Sequence, residues 1–147
     1  MYELLLTFHN LARWLVLLAA AYLLYRAWTG LRRRSYTPAD RRAGLAYTAL
    51  MDLQLLVGAL LMVFSPFMAS LYADPSAAMK ASPSRFFLAE HWVLMLLAVV
   101  LVHLGSARVR KASSDELKQR QALLWYGLSL ALVLLAIPWW RPLLRLG

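Results

Sequence analysis

Four stretches of this chain are apolar over lengths that suit a bilayer, and clusters of polar residues separate them. They predict helices at about 4–28, 43–65, 84–106 and 121–139, a single all-α domain over 1–147 built as a polytopic four-transmembrane-helix bundle. The first apolar run ends at Gly30-Leu31-Arg32-Arg33-Arg34, and Thr37-Pro38-Ala39-Asp40 reads as the cap and first turn of the second. Ser65-Pro66 stops that helix. Residues 67–83 are less apolar, with Asp74-Pro75 and Ser82-Pro83, and predict an outer loop holding a short interfacial helix near 67–73. Gly105-Ser106-Ala107-Arg108 closes the third run, Ser114-Asp115-Glu116 caps an amphipathic lead-in to the fourth, and Pro138-Trp139-Trp140-Arg141-Pro142 ends it.

Composition agrees: 62% of the residues are hydrophobic and mean hydropathy is +0.58, above what soluble domains carry. The net charge of +9 does not point to nucleic acid, because the bases flank apolar runs and form no stripe of their own. They report topology instead. Eleven bases lie between Arg26 and Arg42 and between Arg108 and Arg120, against Lys80, Arg85, Arg141 and Arg145 on the other side. That bias predicts cytoplasmic basic loops and both termini outside. Trp28, Trp125 and Tyr126 are then expected at the inner interface, and Trp92, Trp139 and Trp140 at the outer one. The N-terminus has no basic region or small-residue cleavage site before its apolar run, so it reads as a retained helix. With no cysteine, disulfides, iron–sulfur clusters, thiol chemistry and covalent c-type haem attachment are excluded.

Polar groups at membrane depth carry the candidate chemistry. At about 1.5 Å of rise per residue, His9 and His91 each lie roughly 9–10 Å outward of their helix midpoints. They are candidate axial ligands of one b-type haem held between the first and third helices, as histidines on facing bundle helices can be. Ala12, Ala19, Ala20, Ala21 and Gly58 leave room for a flat cofactor, and Arg85 or Arg13 would balance its propionates. Two unrelated interfacial histidines are the alternative, and with Glu90 they make only an incomplete zinc site. Arg13 is expected to form a structural ion pair with Asp52 on the second helix. Gln54, about 200° round from Asp52, would face another helix or subunit. His103, in the inner leaflet, would pair with Asp52, join a relay in which Glu90 is the other candidate, or meet water. The fourth helix, with Ser129 and Tyr126 as its polar groups, reads as a closing wall.

The residues resemble a family of small four-helix bacterial membrane proteins known as cytochrome b-like. The resemblance is carried by Tyr2, Leu5-Leu6, His9-x-x-x-Arg13-Trp14, Asp52-Leu53-Gln54-Leu55-Leu56-Val57-Gly58, Ser65-Pro66 and Met79-Lys80. It continues through Arg85-Phe86-Phe87-x-x-Glu90-His91, Gly105-Ser106-Ala107-Arg108 and Ile137-Pro138-Trp139. It implies haem b with His9 and His91 as ligands, and electron transfer or redox sensing without catalytic activity of the chain's own. The family often carries a histidine where this chain has Asp52, which weighs against a second haem.

The expected partners are the lipid bilayer and other membrane redox subunits or further copies of the chain, with no nucleic acid. A cofactor-free accessory subunit of a larger complex is the second reading, and a proton-linked carrier using Arg13, Asp52 and His103 the third. No nucleophile–base constellation or phosphate-cradling glycine loop is present.

Overall fold

The computed structural model describes residues 1–141, so Pro142 and Arg145, used above as a helix terminator and an outer base, lie outside the described residues. Those described form an all-helical fold: α1 (Tyr2–Arg33), α2 (Pro38–Phe64), α3 (Pro66–Ala73), α4 (Pro75–Lys80), α5 (Ser82–Arg85), a π-helical turn (Phe86–Glu90), α6 (His91–Lys111) and α7 (Asp115–Ala136). Three segments, Tyr2–Arg33, Pro38–Phe64 and Ser82–Lys111, are long and apolar enough to cross a membrane. Only 17–28% of their most apolar windows is buried within the chain, so leucines and aromatics such as Leu15, Leu18, Tyr22, Leu56 and Leu97 cover the outside. α7 opens on polar residues through Gln121, which leaves it a shorter apolar stretch.

The elements start and stop where the backbone chemistry requires. Thr37 and Asp40 form a capping box that satisfies the first amides of α2, with Pro38 just inside. Ser65, Asp74 and Ser114 cap α3, α4 and α7. The expected outer loop is therefore mostly helical. Pro66, Pro75 and Pro83 each begin a new helix, and Pro66 and Pro75 follow a side-chain cap. Gly30, expected at the end of the first helix, is instead a packing position. α1 runs on to Arg33 and turns at Arg34, which has φ 51°. A side chain at Gly30 would collide with Gln119 of α7.

The buried face of α1 is Ala12, Arg13, Val16, Ala20, Leu23, Ala27 and Gly30, a seam repeating every three or four residues. Small residues in that seam let neighbouring helices approach closely, as membrane helices do when the solvent is as apolar as the core. α2 answers with Ala43, Gly44, Tyr47, Met51, Gln54 and Val57, and α7 with Ala122, Tyr126, Ser129, Val133 and Ala136.

Buried polar groups tie the seam at fixed heights. Ser129 donates to the carbonyl of Ala98 (2.9 Å) and accepts from the Tyr47 hydroxyl (3.1 Å), joining α2, α6 and α7. The closing wall expected of α7 is thus also a polar anchor. Tyr126, expected at the interface, is 4% exposed and meets Tyr47 edge-on, because its position falls on the buried stripe.

At the end that carries the basic loops, Arg26 pairs with Asp40 at 2.7 Å and also donates to Thr37. Asp40 further accepts the Thr37 amide at 2.7 Å. Gln119 donates to the Ser35 carbonyl, and the Tyr36 amide to Asp115, so the first basic loop is bound to the start of α7. Asp40→Ala removes an ion pair and a cap together and is expected to cost on the order of 2 kcal/mol. A lowered melting temperature in detergent, read by circular dichroism, checks it.

Candidate functional site

The half of the bundle away from the basic loops holds a cavity of about 780 Å³, lined by all four long helices and roofed by α3 and the π turn. That volume lies within the range of small-molecule and cofactor sites. His9 from α1 and His91 from the start of α6 both line it, with ring centroids 6.4 Å apart and planes at 71°. The equal depth expected of these two histidines corresponds to a real approach in space.

Each ring is held differently. His91 Nδ1 lies 2.7 Å from the carbonyl of Ala136 on α7. A carbonyl only accepts, so Nδ1 carries the proton and Nε2 is the ring's electron-pair donor. Phe86 and Phe87 of the π turn pack against the same ring at 5.7 and 5.9 Å. His9 sits over Gly58, whose missing side chain leaves room: a Cβ there would lie 3.4 Å from His9 Cε1. His9 Nδ1 is buried with no hydrogen-bond partner among the described residues.

Two cations border the cavity, Arg13 from α1 and Arg141 after α7. Arg141 lies 4.2 Å over the Phe87 ring and 4.9 Å over Phe67. The sequence pattern marks Arg141 only as an outer base. Its place after Pro138-Trp139-Trp140, where the chain turns back over the helix ends, was the available signal.

Several expected pairings are replaced. Arg85, expected to face a cofactor, binds Glu90 at 2.7 Å and does not line the cavity. The two are five residues apart across a π turn, and π geometry sets i and i+5 one above the other. Glu90 accordingly joins neither His103 nor the two cavity histidines, and no group of three metal-ligating residues exists among those described. The expected Arg13–Asp52 ion pair is also not formed. Asp52 Oδ1 and His103 Nε2 share a hydrogen bond of 2.8 Å instead, and both side chains are about half exposed.

The reason is helical phase. On α2 the buried stripe passes through Tyr47, Met51 and Gln54, so Gln54 turns inward and donates to the His9 carbonyl at 2.9 Å, while Asp52 turns out. An ion pair between the first two helices does exist, but it is Arg26–Asp40.

Comparison with protein-family models, curated proteins and solved structures found no match to this chain.

Gly58→Leu would place a branched side chain against the His9 ring and is expected to displace it. The chain has three histidines. In ¹⁵N NMR of the imidazoles, the His9 signal should move while the His103 signal stays.

Proposed function

We propose that the chain is a b-type haem-binding protein of a bacterial inner membrane, serving electron transfer or redox sensing, with His9 and His91 as the two axial ligands. The observation carrying this reading is the pair of imidazoles facing one cavity. Their ring centres stand 6.4 Å apart on its wall, and these two side chains would hold the haem iron between them. Two histidines complete a haem iron, whose other four ligands come from the macrocycle, but leave zinc short of ligands.

The remaining residues suit the same group. The His91 Nδ1–H to Ala136 carbonyl bond fixes ring orientation and raises the basicity of the opposite nitrogen. Gly58 and Ala59 are small residues on the cavity wall, Leu55 and Met95 give it apolar walls, and Arg13 and Arg141 put positive charge at its border. Bound there, the haem would supply one-electron transfer. The protein's own part is to hold two rings, exclude water and balance charge.

We also read α7 as a fourth crossing, from Ala122 onward, with both termini outside and the loops at 34–37 and 112–114 in the cytoplasm. The bias of basic residues supports that orientation.

Protein purified from haem-replete cells should show a Soret band and about one haem per chain by pyridine haemochrome assay. His9→Ala or His91→Ala should remove it, and His103→Ala should not. A colourless native preparation would overturn the reading. The lack of native cysteine makes topology directly testable. A membrane-impermeant maleimide added to spheroplasts should label Ser76→Cys at once and Ser113→Cys only after lysis.

A further inference from the structure

The Asp52–His103 pair lies on the outer surface of α2 and α6, one residue from the middle of α2, among the aliphatic side chains of Leu56, Leu96 and Val100. Its side chains are 47% and 55% exposed, so the described chain does not cover them. At that depth, a half-exposed carboxylate and imidazole facing hydrocarbon are costly unless a polar partner meets them. Neither residue lines the cavity of His9 and His91, which sets this pair apart from the haem site proposed above.

The pair has a property that selects its partner. A net-neutral pair is either imidazolium with carboxylate or imidazole with carboxylic acid. In both, one bond joins Nε2 to Oδ1, Nδ1 carries a proton, and Oδ2 accepts. The half-exposed pair therefore has one donor and one acceptor left to offer. A two-fold axis along the membrane normal keeps two copies in the same orientation and brings identical residues to the same depth. Under it, each donor meets the other copy's acceptor. Ala49, one turn from Asp52, and Ala107, one turn from His103, are small enough for close approach.

We propose that this face is the dimer interface of the protein: two copies pack through α2 and α6, with the Asp52–His103 pairs exchanging hydrogen bonds at its centre. The second copy is favoured over a different membrane protein because the complementarity is of the pair with itself.

Cysteine scanning tests it on the full chain in native membranes. Ala49→Cys should form a disulfide-linked dimer under mild oxidation at least tenfold more efficiently than Leu18→Cys, which lies on the exposed side of α1. Adding Asp52→Leu and His103→Leu together should reduce that yield at least fivefold. The double change leaves no polar group stranded, and circular dichroism with gel filtration establishes that the variant is folded. Equal yields at positions 49 and 18, a yield indifferent to the double change, or cross-linking of position 49 only to another protein would each overturn the proposal. Haem content is read separately, so failure of the dimer and failure of the haem reading are distinguishable.

Discussion

The closeness of α1 to its neighbours sets nearly everything else in this molecule. The seam of Ala12, Val16, Ala20, Ala27 and Gly30 brings α2 and α7 against the α1 backbone. Hydrocarbon gives such helices no hydrophobic reason to associate, so close packing and internal hydrogen bonds must supply it. Gly30 admits Gln119, and Gly44 brings Tyr126 to its side, where a Cβ would meet the hydroxyl at 3.2 Å. Two polar ties, Arg26–Asp40 and Tyr47–Ser129–Ala98, then join the packed helices to one another. In the half away from the basic loops the helices leave a cavity with the two histidines on its wall.

The two ends of the bundle thus divide the work. Toward the basic loops, a capping box, an ion pair and side-chain-to-backbone bonds fix the ends of α1, α2 and α7 to one another. Toward the other end, rings dominate: Phe67, Phe86, Phe87 and Trp140 form edge-to-face contacts around His91 and Arg141. A rigid end and an aromatic end suit a bundle that must hold its helices in register while enclosing an apolar volume.

Helix existence, caps and the depth of His9 and His91 are legible in the sequence because they depend on position along one axis. Rotation about that axis is not. All sides of these helices are apolar, so hydropathy does not distinguish the buried face from the outer one, and Asp52, expected to meet Arg13, points away from it. The seam of small residues holds that information: its spacing on α2 puts Gln54 inside and leaves Asp52 out. Arg85 departs from expectation for a related reason, since a regular α-helical register does not foresee five residues in one turn.

Chain length between Pro83 and His91 therefore matters as much as residue type. A π turn amounts to one residue inserted into an α-helix, offsetting everything before it by about 100° relative to everything after. Here it separates Pro83 and Arg85 from His91, so Phe86 and Phe87 gather on the imidazole while α6 keeps its seam toward α7. Spacing in this segment is a coded quantity. Losing one residue between Phe86 and Glu90 would leave hydropathy almost unchanged yet turn the roof of the cavity away from its wall.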